Sequence, residues 1–463
     1  MGADDLGRSR PPRQTAAKIL HEIFERSAYT AISIDRELRR RTDFNQTQRN
    51  LITELVNGTV RMSKHLDWVL NLFLKKPIDQ QNAWLRVALR LGAYQLLFMD
   101  RIPAKIAVDS AVGMVKERLG PSLAGVCNGV LRELERNRGD LPWDRDENER
   151  QSLTAIYYSQ PEWIVQILSE ELEPLEQIDA LQYYNQRPGL SLRCNRLRLS
   201  PQELLERLAD EDVVARASAW LPEAIQLERI PTGIEQLPSY KSGYYYIQSE
   251  STMLAAPILD PGPGETVLDF CCGVGGKSSQ FAEWMGDQGH ILALDLYPHK
   301  IRLLEENLAR LGLTSVNPQV CDLLQDELSL MPVERIFIDA PCSGLGVLNR
   351  RADLRWRMQP DELHRLYEIQ YNLLKRAAIL LKPGGSLVYA TCTINHRENQ
   401  QQIDRFLSEH LDYQAQGFSR ELAGLSLRES DRAGCERGSL TIVPGVYNSD
   451  GMFYAKLQRI EAA

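Results

Sequence analysis

The sequence predicts a multidomain chain: an all-α helical bundle, then a small α+β module, then an α/β domain on a mostly parallel sheet. Three observations carry this reading. The 463 residues exceed what one core usually serves, at roughly 150 residues per domain. Apolar residues recur at helical spacing up to about residue 140. From about residue 251 short continuous apolar runs alternate with helical segments, the pattern of parallel strands covered on both faces.

Each part has its own justification. Ile19, Leu20, Ile23 and Phe24, then Leu51 and Leu55, then Leu85, Ala88, Leu89, Gly92 and Leu96 follow i, i+3, i+4 spacing. Pro77, Pro103, Pro121 and Pro142 punctuate these runs, so five to seven short helices are expected. The charged stretch Asp144 to Arg150 reads as a linker. Helix-like runs follow at Glu162 to Leu172 and Pro201 to Leu208, with strand-like runs at Leu190 to Leu192 and Tyr244 to Ile247. Pro174 is a natural stop for the first of these helices. Strands are then expected at VLDFCC (267–272), ILALDL (291–296), RIFIDA (335–340) and SLVYATC (386–392). Helices Lys277 to Met285, His299 to Leu311 and Pro360 to Leu381 separate or flank them. The last run, GMFYAKLQRI (451–460), alternates as an antiparallel edge strand does.

Composition excludes several classes. No apolar stretch approaches the roughly 20 residues of a membrane span, and the polar start MGADDLGRSRPPRQ is no secretory leader. The eight cysteines form no C-x-x-C pair and have no His at zinc-ligand spacing. A cytoplasmic protein with reduced thiols and no bound metal is expected. The net charge of −8 hides an asymmetry: residues 1–140 carry 23 Lys+Arg against 16 Asp+Glu, or +7, and the remainder carries −15. A basic N-terminal third suggests that this end meets phosphate, although a solvated helical surface gives the same count.

Chemistry concentrates in the last domain. In Asp269-Phe-Cys-Cys-Gly-Val-Gly-Gly-Lys277 a strand ends and a helix begins, with Gly273, Gly275 and Gly276 in the turn. Such glycines let a ligand approach the backbone at the carboxyl edge of a strand. The spacing is neither the dinucleotide fingerprint nor a P-loop. Asp295, ending the second strand, suits two ribose hydroxyls. Asp322, after a third strand, can accept from an adenine amino group. A nucleoside without obligatory phosphates is implied, and S-adenosylmethionine fits best.

Two cysteines stand at neighbouring strand ends, in Asp339-Ala-Pro-Cys342-Ser-Gly-Leu-Gly346 and in Ala390-Thr-Cys392-Thr393. Side chains there converge above the sheet. Cytosine carbon 5 is a poor nucleophile until something adds to carbon 6, and a thiolate does this well. An acid at the ring nitrogen eases that addition, and a base must later remove the carbon-5 proton. The two loops can supply these parts. Cys127, Cys194, Cys321 and Cys435 read as structural, as do the Cys271 and Cys272 thiols.

The runs DAPCSGLGVLNRRADLRW and YATCTINHREN resemble the RNA cytosine-5 methyltransferases of the Nol/Nop/Sun family. The resemblance implies Cys392 as nucleophile, Cys342 assisting product release, and Asp339 touching both base and cofactor. It places cofactor contacts at Cys271, Cys272, Gly273, Val274, Gly275, Gly276, Lys277, Asp295, Asp322 and Asp339, and RNA guidance at Arg350 and Arg351. NGTVR (57–61), LRLGAYQLLFMDRIPAKIAV (89–108) and VCNGVLRELER (126–136) resemble a NusB-like RNA-binding domain, a fusion similar to bacterial small-subunit rRNA methyltransferases of the Sun group. RPGLSLRCNRLRLSPQELLERL (187–208) resembles the small module preceding the catalytic domain there. What this implies is a NusB-like domain over 1–145, a linker and RNA-binding module over 146–250, and a Rossmann-like S-adenosylmethionine-dependent methyltransferase domain with a seven-stranded sheet over 251–463. The implied partner is 16S rRNA, naked or in an early assembly particle, acted on by a monomer without membrane attachment; position 967 is the target of the subgroup.

One motif departs from the family. Its first motif usually reads C-A-A-P-G-G-K, whereas this chain has C-C-G-V-G-G-K. Losing the proline removes a fixed φ, so a looser or differently shaped turn is expected, with cofactor binding surviving on the glycine pair and the lysine. The competing readings are an RNA-binding assembly or antitermination factor with a silent catalytic domain, and a cytosine-5 enzyme acting on another RNA or on DNA. A silent domain has no need of both thiols. An amino-group methyltransferase wants a D/N-P-P-Y loop where this chain has DAPC.

Overall fold

The computed structural model describes residues 11–143, 150–327 and 331–461. By packing, the chain divides into two compact units. One runs through Glu170 and adds Leu348–Arg357; the other holds Glu171–Val347 and Met358–Ala463.

The first unit is helical: α1 (Pro12–Arg26), α2 (Thr30–Arg40), α3 (Gln46–Arg61), α4 (Ser63–Asn71), α5 (Ala83–Phe98), α6 (Ala104–Leu119) and α7 (Pro121–Asn137). These reach the upper end of the expected helix count. Their starts follow local chemistry. Asn45 and Gln48 form a capping box on α3, Asn82 accepts from the Trp84 N–H on α5, and Pro121 sits in the first turn of α7. Ile19, Leu20, Leu55, Leu85, Leu89 and Leu96 are buried as the periodicity requires, whereas Phe24 and Leu51 are only partly so. Gly92 lets α5 and α7 approach, since a Cβ there would collide with Leu131. Two further helices, α8 (Arg150–Tyr157) and α9 (Glu162–Glu171), follow. The expected linker lies outside the described residues, except that Arg150 already begins α8. Leu348–Arg357 packs here through Ala352 and Trp356. The buried Arg355 donates to the Ser159 and Leu348 carbonyls, and Arg61 donates to that of Asn349.

In the second unit Pro174 does more than end a helix, because it opens α10 (Pro174–Asn185). Proline is as fit for a first turn as for a stop. An antiparallel sheet follows, with β1 (Leu190–Cys194), β2 (Val214–Ala217), β3 (Ala224–Arg229) and β4 (Tyr245–Ile247) in the order β2-β3-β1-β4. It packs under α11 (Pro201–Asp210) through Leu192, Leu204, Leu208, Ile225 and Tyr245. β2 and β3 lack the continuous apolar pattern that reveals a buried strand from sequence.

The large sheet contains β5 (Thr266–Phe270), β6 (His290–Asp295), β7 (Val316–Val320), β8 (Val333–Asp339), β9 (Leu381–Thr391), β10 (Tyr413–Ala415), β11 (Ser439–Ile442) and β12 (Met452–Arg459). The order is β10-β12-β9-β8-β5-β6-β7, with β11 also on β12. The five strands from β9 to β7 are mutually parallel. Two expectations need correction. The sheet has eight strands rather than seven, because β10 and β11 share the outermost position against β12. For the same reason β12 is antiparallel to β9 but is not an edge. Its Met452–Leu457 stretch is buried on both sides, and Lys456 tolerates this by pairing with Glu421 at 2.8 Å.

Candidate active site

β6, β5, β8 and β9 lie side by side, so the loops after their carboxyl ends converge. After β5 comes the glycine turn, where Cys271, Gly273 and Gly275 all take positive φ (62°, 62° and 86°). Glycine suits position 275 because its φ of 86° is one that side chains rarely adopt, and a Cβ there would also displace the end of Leu304. At Gly273 an added Cβ meets nothing within 4 Å, which leaves room for a ligand to approach the backbone. The turn is not loose. The Val274 carbonyl accepts from Tyr246 OH and Asn307 Nδ2, each at 3.2 Å. The Gly276 carbonyl accepts from Arg193 at 2.6 Å. Arg193 is itself buried against Glu283 at 2.8 Å. These hydrogen bonds take the place of the missing proline in restraining the turn.

Asp295 is nearly buried, accepting from the N–H groups of Gly273 and Tyr297, both at 3.0 Å, and from Lys300 at 3.1 Å. Asp322 receives the Leu324 N–H at 3.0 Å within its own turn. Asp269 is fully buried, and burial pushes its carboxyl up to about 7 despite the hydrogen bond from Ser278. Its Oδ1 has no hydrogen-bond partner among the described residues. The open glycine turn and the adjoining Asp295 together fit a nucleoside-bearing methyl donor.

After β8 and β9 come the two thiols. The Sγ atoms of Cys342 and Cys392 lie 3.3 Å apart, and both residues are partly accessible. The hydrogen bond with Cys392, then burial, pushes the Cys342 thiol well up. Beside them Lys277 Nζ lies 2.6 Å from Asp339 Oδ2. Burial pulls the Lys277 ammonium down, but the Asp339 carboxylate outweighs it and the net direction is up. The backbone binds the loops together: Gly346 N–H donates to the Cys392 carbonyl at 2.9 Å and Gly451 N–H to that of Gly346 at 2.8 Å.

The structure thus brings Cys342, Cys392, Asp339 and Lys277 together. Cys271 to Gly276 and Asp295 form the adjoining turn. Arg350 and Arg351 are exposed on Leu348–Arg357, the segment packed with the helical unit. Several residues escaped sequence reasoning. Arg193 and Tyr246 belong to the small sheet, and nothing local marks them. Glu398 lies in the NHREN run quoted above, yet only the fold shows its carboxylate among side chains from both thiol loops. Among the described residues no group of three or more His, Cys, Asp or Glu can hold a metal ion. No helix among them is long and apolar enough to cross a membrane.

Comparison with known proteins agrees with this geometry. The family model for 16S rRNA methyltransferase RsmB/F matches residues 256–458, that for the NusB family residues 10–136, and a ferredoxin-like domain of RsmF/B-like methyltransferases residues 160–232. A probable ribosomal RNA small subunit methyltransferase B of Synechocystis sp. is 37% identical, covering 96% of this chain and 99% of its own. The probable enzyme of that name from Bacillus subtilis is 34% identical over 96% and 98%. Among solved structures, one described as PH0851 matches with a TM-score of 0.79 at 25% identity, over 98% of this chain and 100% of its own. A methyltransferase homolog from Pyrococcus horikoshii gives 0.57 at 26%, over 67% and 99%. With this likeness running through nearly the whole chain, the protein belongs to the ribosomal RNA small subunit methyltransferase B family.

Proposed function

We propose that the protein transfers a methyl group from S-adenosylmethionine to carbon 5 of a cytidine in 16S rRNA, through a covalent bond between Cys392 and the base. The observation that carries this is the thiol pair at 3.3 Å beside the Lys277–Asp339 pair. As the Cys392 sulfur gives up its proton and bonds to carbon 6, the ring nitrogen takes up a proton, and the Asp339 carboxylate, receiving a hydrogen bond from Lys277, stabilises the positive charge there. Carbon 5 then has the electron density to take the methyl group, which the sulfonium donor supplies. The carbon-5 proton leaves to water with Cys342 assisting, and its electron pair restores the carbon 5–carbon 6 double bond as the bond to Cys392 breaks, the departing sulfur taking back the proton from the ring nitrogen. The target nucleotide must be unpaired or flipped, because a stacked base is out of reach.

The finer reading follows the family. The target is position 967, the enzyme is a cytoplasmic monomer, and the substrate is rRNA, naked or in an early particle. Residues 1–145 and 146–250 bind RNA, with Arg350 and Arg351 guiding the strand, and 251–463 carry catalysis. The test is methyl transfer to protein-free 16S rRNA with the product mapped by bisulfite sequencing. One cytidine should be methylated by the wild type. Cys392→Ala should abolish turnover, and Cys342→Ala should trap a protein–RNA adduct on denaturing gels. An adduct with Cys392→Ala and none with Cys342→Ala would exchange the two roles. Binding of 16S rRNA without any methylation, indifferent to donor and to both substitutions, would favour an assembly factor.

A further inference from the structure

Around the thiols lies a set of buried polar side chains that the chemistry above does not use. Glu398 is fully buried, six residues beyond Cys392. Its carboxylate accepts from two elements of the site and from a helix behind them. From the Cys342 loop come the Ser343 N–H at 2.8 Å and the Ser343 hydroxyl. From the Cys392 loop comes Asn395 Nδ2 at 3.2 Å. From the helix Glu362–Leu380 comes Gln370 Nε2 at 3.0 Å, the same group that donates to the Pro341 carbonyl at 2.9 Å. Ser343 also bonds Thr393, the residue after the nucleophile, at 2.9 Å.

A buried carboxylate is expensive unless its oxygens are satisfied. Here four donors satisfy it, two from Ser343 beside Cys342, one from Asn395 on the Cys392 loop and one from Gln370 on the helix behind. Two sulfurs that serve adjacent carbons of one ring must be held to within a few tenths of an ångström, and loops alone do not hold them so. We propose that Glu398 is a positioning residue that fixes the separation of the Cys342 and Cys392 thiols by clamping their two loops on one carboxylate. Burial raises the Glu398 carboxyl and the hydrogen bonds oppose it. Its charge also helps to raise the Cys342 thiol. Glu398 touches no reacting atom; it acts through Ser343 and Asn395.

The role in catalysis rests on the covalent reading above, but the clamp is measurable without it. In the full-length protein, diamide takes both thiol hydrogens onto its N=N bond as an S–S bond forms, and the rate reports how often the sulfurs meet. Mass spectrometry of the Cys342–Cys392 linked peptide reads that rate. The wild type should link readily, and Glu398→Gln, of the same shape, about tenfold more slowly. Ser343→Ala, which keeps the loop N–H, should fall between them and guards against a Glu398→Gln that fails to fold. Methylation should show kcat falling in the same order while KM for S-adenosylmethionine stays within about twofold. Equal linking rates in all three proteins would overturn the clamp. Glu398-dependent linking without any RNA adduct would leave the clamp standing and overturn the covalent reading instead.

Discussion

The two units handle buried polar groups in different ways. In the helical unit the buried arginines turn to main-chain carbonyls, Arg61 to that of Asn349 and Arg355 to those of Ser159 and Leu348. Its one buried histidine, His65, sits among Phe98, Trp143 and Tyr157 and shares Nδ1 with the Tyr157 carbonyl at 2.9 Å. In the second unit one group of them lies at the carboxyl edge of the sheet, where the buried Ser343, Gln370, Thr391, Thr393, Asn395, Glu398 and Asn399 bond one another side chain to side chain or through the loop backbone. The difference separates two uses of burial. An apolar core tolerates drift of a few tenths of an ångström in any one side chain, while a satisfied polar network specifies one arrangement. The unit with the thiols has the network.

The sharpest way to break this comparison is at the glycine turn, which depends on close packing as well as hydrogen bonds. Gly275→Ala must hold a Cβ at φ 86° against Leu304. That is about 1–2 kcal/mol of backbone strain plus ~1–3 kcal/mol of overpacking. Calorimetric titration should show S-adenosylmethionine affinity reduced more than about tenfold; an unchanged Kd would mean the turn relaxes freely.

A second experiment addresses the helical unit through its histidine. Burial lowers His65 to about 4 from its ordinary 6.5. A depressed histidine favours the neutral folded form, so its contribution is intact above pH 6.5 and is lost as pH falls towards 4. The full loss is about 3 kcal/mol. Denaturant unfolding across that window should show the helical unit weakening first, with the slope flattened in His65→Gln. A slope identical in both proteins would place the acid sensitivity elsewhere.

The smallest effect is expected where a single neutral hydrogen bond restrains the turn. Tyr246→Phe removes the donor to the Val274 carbonyl and leaves Asn307 in place. A loss of about 1 kcal/mol, roughly fivefold in Kd for S-adenosylmethionine, is expected, with no change in adduct formation at saturating donor. An effect on adduct formation instead would show that the turn and the thiol loops are coupled.

Much of this protein was legible because its signals are local. Helix periodicity, the glycines that a positive-φ turn requires, and the cysteines placed just after apolar runs need only a few neighbouring residues. So the helical bundle, the parallel strands and the Cys342, Cys392 and Asp339 set emerge from the sequence. β10 and β11, of three and four residues, were missed because nothing in a run that short announces pairing. Whether β12 is an edge depends on them, which its own alternation cannot reveal. Pro174 was read only in part, because one residue type serves both to end a helix and to begin one.

What the sequence by itself determined was the chemistry available: two thiols, an acid and a glycine turn, each at or just past the end of a strand, and a lysine at the start of the next helix. The tertiary structure alone decided their spacing and support. It set the sulfurs 3.3 Å apart, paired Lys277 with Asp339 across 62 positions, and brought Arg193 and Tyr246 from another sheet to the turn. The physical reason is that propensity and capping act over a few residues. Hydrogen bonds to a buried carboxylate such as Glu398 form only after distant segments meet and exclude water.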